Sequence, residues 1–160
     1  MQKITPFLWF DSEAEEAANL YVATFAQSRI VSASRYGDSG QDSTGQTAGT
    51  VMTIQFELEG QQFMALNGGP LFKFNESVSL LVSCETQEEI DHMYDALSAV
   101  PESEQCGWLK DKFGLSWQIV PPILGELLSD PDTDKAGRVM AAMLKMKRID
   151  IAGLQAAANG

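Results

Sequence analysis

Few side chains in this sequence could carry chemistry. His92 is the only histidine, which excludes a histidine-rich metal centre or a Ser-His-Asp triad within one chain. It falls on the helix face opposite Ile90, Met93 and Leu97, so it is expected to be exposed and outside catalysis. Cys84 continues the apolar side of a strand, and Cys106 stands before Gly107 and Trp108 with no base near it in sequence. Both thiols are expected to be structural. Gly68-Gly69 belongs to neither GxxxxGK nor GxGxxG, so it is no phosphate loop. Trp9, Trp108 and Trp117 either line a ligand cleft or fill space under helices. Met140, Met143 and Met146 suggest an adaptable apolar surface, with core or dimer packing the more ordinary role. What is left for binding is neutral: hydroxyls and carboxamides on strands.

Composition narrows the partners. The chain has 160 residues, with eleven basic against twenty-two acidic side chains and a formal net charge of −11; its pI is near 4.4. That balance excludes nucleic acid or an anionic membrane as main partner, since both reward basic patches. A hydrophobic share of 44% is enough to build a core. No window of eighteen apolar residues spans a membrane, and MQKITPFLWFDSEAEE lacks the basic-then-apolar order of a signal peptide. Two cysteines without CxxC spacing suit a reducing compartment, so a cytoplasmic protein is expected.

These side chains need elements to position them. Ile4–Phe10 reads as a buried strand. Ser12 and Glu15 form a capping box for a helix whose Ala14, Ala17, Ala18, Tyr21 and Phe25 recur at helical spacing. Arg29–Tyr36 reads as a second strand, and the Gly/Ser/Thr/Asp/Gln stretch over 37–49 as a mobile loop. In Val51–Leu58, Met52, Ile54, Phe56 and Leu58 alternate with Thr53, Gln55 and Glu57, giving one apolar and one polar face. Glu59-Gly60 turns into a strand over Gln62–Asn67. The pattern then restarts. Ser77–Cys84 alternates Val78, Leu80, Val82 and Cys84 with Ser77, Ser79 and Ser83, and Leu81 is the single apolar exception. Thr86 and Glu89 make a second capping box, followed by Ile90, Met93, Tyr94 and Leu97. Strands around Gln105–Lys110 and Ser116–Val120 follow, with Gly114 in the turn between them. Pro121-Pro122 ends the sheet, and helices are expected over Ile123–Leu128, Lys135–Lys147 and Ile151–Ala158. The strand and its capped helix recur at an offset of about 74 positions, the mark of an internal repeat.

The opening ITPFLWFDSEAEEAANLYVATF and the closing CGWLKDKFGLSWQIVP resemble the PhnB-like family, also labelled 3-demethylubiquinone-9 3-methyltransferase domains. That family belongs to the vicinal oxygen chelate superfamily of glyoxalases, extradiol dioxygenases and bleomycin-resistance proteins. The similarity includes KMKRIDIAGLQAAA, and DKFGLSWQ matches the superfamily's strand–turn–strand motif. The resemblance implies an α+β fold of two βαβββ modules, with a mostly antiparallel, U-shaped sheet around a cleft and a homodimeric state. Module one is expected over about 1–70, module two over about 75–121, and a helical tail over 122–160, within one domain.

The superfamily's chemistry uses a divalent metal held by His and Glu near the start and end of each module. The corresponding places here fall at Thr5 or Pro6, at Ala65 or a neighbour, at Ser79 and at Gln118. None is an ionisable ligand, so no metal and no cofactor are expected. Methyl transfer from S-adenosylmethionine normally needs a nucleotide-binding fold with a Gly-rich first turn, and no such unit is legible. The candidate cleft-side set is therefore Thr53, Gln55, Asn67, Ser79 and Gln118, neutral groups that would hold a small organic ligand by hydrogen bonds. A metal-dependent enzyme of the glyoxalase or dioxygenase type, the labelled methyltransferase, and an interaction protein with a vestigial cleft are the competing readings.

Overall fold

The computed structural model describes residues 2–38 and 45–160, divided into two units after Phe74. The first unit runs β1 (Phe7–Phe10), α1 (Ala14–Thr24), β2 (Ser28–Arg35), β3 (Val51–Leu58) and β4 (Gln61–Asn67). Its sheet has the order β1-β4-β3-β2, with β1 parallel to β4 and the other pairs antiparallel. The period-two pattern of β3 is realised as Ile54, Phe56 and Leu58 buried with Phe63 and Ala65 of β4 and Leu8 and Phe10 of β1. Ala14, Ala17, Ala18 and Tyr21 of α1 are buried as well, at the helical spacing expected. Phe56 stacks on Phe63 with ring centres 5.4 Å apart. Each such side chain, fully buried, contributes roughly 1.5–3 kcal/mol.

Three local expectations change. The first strand begins at Phe7, and Ile4 is 86% exposed; Pro6 has no amide to donate and joins the sheet only by its carbonyl, which accepts from the Met64 amide. Met52 is exposed and Val51 buried, because the pairing of β2 with β3 shifts by one residue between Ser34 and Arg35. The Ser12–Glu15 capping box does not form. Glu13 is the N-cap without a side-chain cap bond, and Glu15 is drawn to Arg35 by two bonds of 2.8 and 3.2 Å. The buried amide of Ala14, which has no intrahelical partner, is taken instead by the Asn67 carboxamide, 2.8 Å away at the end of β4. Of the loop expected over 37–49, positions 39–44 lie outside the described residues. Its base is closed by Tyr36 and Gly49, whose backbones bond across it.

The second unit runs β5 (Ser79–Ser83), α2 (Gln87–Leu97), β6 (Trp108–Lys110), β7 (Ser116–Val120), α3 (Pro122–Leu128), α4 (Thr133–Met143) and α5 (Ile151–Asn159). The repeat is real: α1 and α2 have equal length and lie 73 positions apart at both ends. Here the capping box does form, with Thr86 Oγ1 accepting from the Glu89 amide and Glu89 reaching back to the Thr86 amide. The sheet order is β5-β7-β6, with β5 parallel to β7. This unit thus has three strands where four were expected. The place of the missing one holds a 3-10 turn at Pro101–Ser103, where Pro101 supplies no ladder donor. The strand expected over Gln105–Lys110 is interrupted at Cys106 and Gly107, both with φ in the left-handed region, which form a two-residue hairpin turn closed by Gln105 and Trp108.

In the tail, α4 stops at Met143 rather than continuing to Lys147. Val139 is buried, while Met140 and Leu144 point outward. The segment after α4 is stitched to the hairpin turn, since the amides of Cys106 and Gly107 donate to the carbonyls of Met146 and Lys147. Gln87 of α2 also clasps it, donating to the Ile149 carbonyl and accepting from the Ile151 amide.

Asn67 carries the most polar connections in the first unit. It is 1% exposed. Its Oδ1 serves α1, its Nδ2 donates to the Val51 carbonyl at 3.0 Å, and its own carbonyl accepts from the Tyr36 hydroxyl at 2.6 Å. Asn67→Ala should therefore lower stability by about 2–4 kcal/mol, because two buried backbone groups lose their partners together. Urea unfolding checks this, and a loss below about 0.5 kcal/mol would contradict the assignment.

Candidate functional site

The site is built on β7, whose alternation separates core from surface. Trp117 and Ile119 are essentially fully buried, and so is Leu109 of β6 beside them. Ser116, Gln118 and Val120 occupy the other face. What fixes this register is Asp111, buried in the turn between β6 and β7. Its Oδ1 accepts from the amides of Phe113 and Leu115, and its Oδ2 accepts from the Trp117 indole at 2.9 Å. Gly114 adopts φ 89° in the same turn, a conformation glycine takes without steric penalty.

On the outward face the side chains form rows across the three strands. Ser79, Ser116 and Lys110 are paired in one row, and Leu81, Gln118 and Trp108 in the next. Gln118 reaches diagonally from one row to the other, its Nε2 donating to Ser79 Oγ at 2.9 Å. The expected candidates Ser79 and Gln118 are therefore brought together, both half-buried. Leu81, the apolar exception among serines, is 60% exposed on this face. Lys110 forms an ion pair with Glu76, and that contact holds the Glu76 carboxyl below the usual carboxylate range. Parity along the last strand puts Ser116 on the Gln118 side, as found, while sequence reasoning missed Lys110 and Leu81 as members of this face. The only available signal was strand parity with Gln118 and Trp108.

In the first unit, Thr53 and Gln55 share the face of the sheet opposite α1. Thr53 Oγ1 lies 2.7 Å from Ser34 Oγ, and Gln55 faces Met64 of β4 in register. The register of β1 puts Trp9 beside Leu66 and Phe7 beside Met64 on that face. Trp9 also packs directly over Gly68, where any β-carbon would sit within 2.6 Å of the indole. Asn67 does not join Thr53 and Gln55. Parity puts it on the core face with Phe10, and its carboxamide is already engaged on both sides.

The places at which the superfamily holds its metal do not fit one here. Ala65 is fully buried on the core face beside Leu8 and Ile54. Ser79 and Gln118 are neutral and bonded to each other. Among the described residues no group of three or more His, Cys, Asp or Glu side chains is arranged to hold a metal ion. His92 is exposed on α2. Cys84 is buried, and desolvation, with the Glu89 charge adding to it, pushes its thiol up to about 11. No helix among the described residues is long and apolar enough to cross a membrane.

A family model described as 3-demethylubiquinone-9 3-methyltransferase matches residues 2–120. Among solved structures, the PhnB protein from Bacillus cereus is 42% identical with a TM-score of 0.64, over 75% of this chain and 99% of that one. A protein from Staphylococcus aureus is 32% identical over 76% of this chain and 97% of its own, with a TM-score of 0.35. Protein PA1353 from Pseudomonas aeruginosa shares the fold, with a TM-score of 0.56 at 18% identity over 74% of this chain and 96% of its own. No curated protein matches the chain.

Two measurements test this geometry. Trp117→Ala should cost about 3–5 kcal/mol of stability, whereas Gln118→Ala should cost about 1 kcal/mol or less; thermal unfolding yielding the reverse order would show the register to be wrong. At pH 8 the Cys84 thiol stays protonated and enclosed, so a thiol-specific reagent should modify it only after denaturant is added. Labelling of Cys84 in the native protein would contradict its placement.

Proposed function

The chain belongs to the family described as 3-demethylubiquinone-9 3-methyltransferase, and from that membership we propose that it binds a small organic molecule on the polar sheet face of its second unit without a catalytic metal. The observation that carries this reading is the 2.9 Å contact between Gln118 and Ser79, flanked by exposed Leu81 and half-buried Trp108. A carboxamide and a hydroxyl offer both donors and acceptors to a neutral ligand group, and the leucine and indole beside them offer apolar area. Thr53 and Gln55, on the non-helical face of the first unit's sheet, supply a second group of the same kind.

The methyl transfer named by the family label would call for a nucleotide-binding sheet of parallel strands with a Gly-rich turn. The two sheets here have three antiparallel and two parallel pairings, which is not that arrangement. Binding is therefore preferred to transfer. A cytoplasmic location and a homodimer complete the proposal. Met140 and Leu144, one helical turn apart and exposed at the end of α4, supply an apolar patch for a second copy.

The direct test is NMR titration of the 15N-labelled protein with small aromatic amides and alcohols. The Gln118 carboxamide and Trp108 indole resonances should move first, and Gln118→Ala should weaken binding by about two- to tenfold, one hydrogen bond's worth. Responses confined to residues outside this face would overturn the reading. Sedimentation at micromolar concentration should give a dimer, and Met140→Glu with Leu144→Glu should give a monomer. A wild-type monomer would remove the second-copy proposal.

A further inference from the structure

We propose that the row Ser79–Ser116–Lys110 is a carboxylate-binding site, and that Glu76 fills it as an internal stand-in for the ligand's own acid group; this rests on the small-molecule reading of the same face. Lys110, Ser116 and Ser79 are in register across β6, β7 and β5, so an ammonium and two hydroxyls lie side by side. Ser116 is only 2% exposed, and among the described residues its hydroxyl has no hydrogen-bond partner. Buried hydroxyls nearly always have one. The described side-chain atom that is both sealed and unpaired is Ser28 Oγ, so the Ser116 hydroxyl remains reachable at its tip. It is a donor left waiting beside a cation.

A lysine ammonium has three N–H donors. Here one goes to Glu76, which comes from the segment preceding β5 with a side chain 62% exposed, against 22% for Lys110. An ion pair with so exposed a partner is weak and easily displaced. A ligand carboxylate placed there would keep the charge-assisted bond to Lys110 and add bonds from the serine hydroxyls. The neighbouring row Leu81–Gln118–Trp108 lies two residues further along the strands, about 7 Å away. That spacing suits a single aromatic ring with its acid group on the first row and its body against Leu81 and Trp108. Leu81, unexplained by the alternation of its strand, acquires a role as apolar floor. With a net charge of −11, the protein repels acids at long range, so selectivity for one must come from this local cation.

The test compares benzoate with benzamide, which share shape and differ in charge, by NMR titration of the full chain. Benzoate should bind about tenfold more tightly than benzamide, moving the Trp108 indole and the amides of Ser79 and Ser116. Glu76→Gln should tighten benzoate by about two- to fivefold and leave benzamide unchanged. Lys110→Met should abolish the difference between the two probes. Equal affinities for benzoate and benzamide on this face in the wild type overturn the carboxylate site and leave the small-molecule reading standing. No response on this face to either probe overturns both. Unchanged or weaker benzoate binding by Glu76→Gln overturns the stand-in role, whatever Lys110→Met does to the fold.

Discussion

The candidate face exists because one buried carboxylate has all its partners. Asp111 lies at 1% exposure in the turn between β6 and β7, where an unpaired charge would be prohibitively costly. Two amides of its own turn and the Trp117 indole supply three N–H donors. The turn amides set the loop length, and the indole sets the direction of the first inward side chain of β7. A slip of one residue would place Trp117 outward and Gln118 in the core, and would strand the carboxylate in the process. The penalty for that slip makes the outward row of Ser116, Gln118 and Val120 a fixed feature.

Asn67 performs the same kind of work in the first unit with a neutral group. Its position, at the end of the strand parallel to β1, lets one carboxamide reach both the start of α1 and the start of β3. In the second unit α2 is capped by its own Thr86 instead. The repeated strand–helix units therefore solve the same problem, amides without an intrahelical partner at a helix start, by different means. A long-range cap binds the helix to the sheet as well as satisfying it, whereas the local box leaves α2 to be held by packing and by Gln87, Asp91 and Asp95 toward the tail.

Local patterns were legible wherever the chain's own neighbours decide the outcome. The alternation of Ile54, Phe56 and Leu58 and the Thr86 box both follow from spacing within a few residues. The expected box at Ser12 failed because Glu15 is drawn to Arg35, 20 positions away, while the Ser12 amide goes to Glu13, and no local pattern encodes the pull of Arg35. Asn67 read as a binding group for the same reason: its polarity is visible in sequence, its partners are not. Met52 was misplaced by a bulge, which shifts parity without any glycine to announce it. Lys110 went unnoticed because its place beside Ser116 depends on cross-strand register, and register between β6 and β7 is set by the Asp111 turn. The residue pattern of the second unit offers three strands, as found; the fourth was expected from the family resemblance, and Pro101 stands where it would have run.

The tail explains how a short hairpin can hold a rigid face. The strand β6 has only three residues, and such a strand at a sheet edge would fray on its own. The turn leading into it is fastened from outside the sheet, because Cys106 and Gly107 give their amides to Met146 and Lys147. Tyr94 adds a clamp, its hydroxyl lying within hydrogen-bond reach of the carbonyls of both Trp108 and Lys147, and Arg148 stacks over the Tyr94 ring at 4.9 Å. Gly107 has no room for a side chain, since a β-carbon would sit 2.9 Å from the Ile119 carbonyl, so strap and sheet meet with backbone close to backbone. The family match ends at residue 120, and the relative from Bacillus cereus is covered almost completely by three quarters of this chain. The stretch after residue 120, KMKRIDIAGLQAAA included, thus lies beyond the family match, and in this protein its Met146 and Lys147 carbonyls fasten the turn that leads into β6.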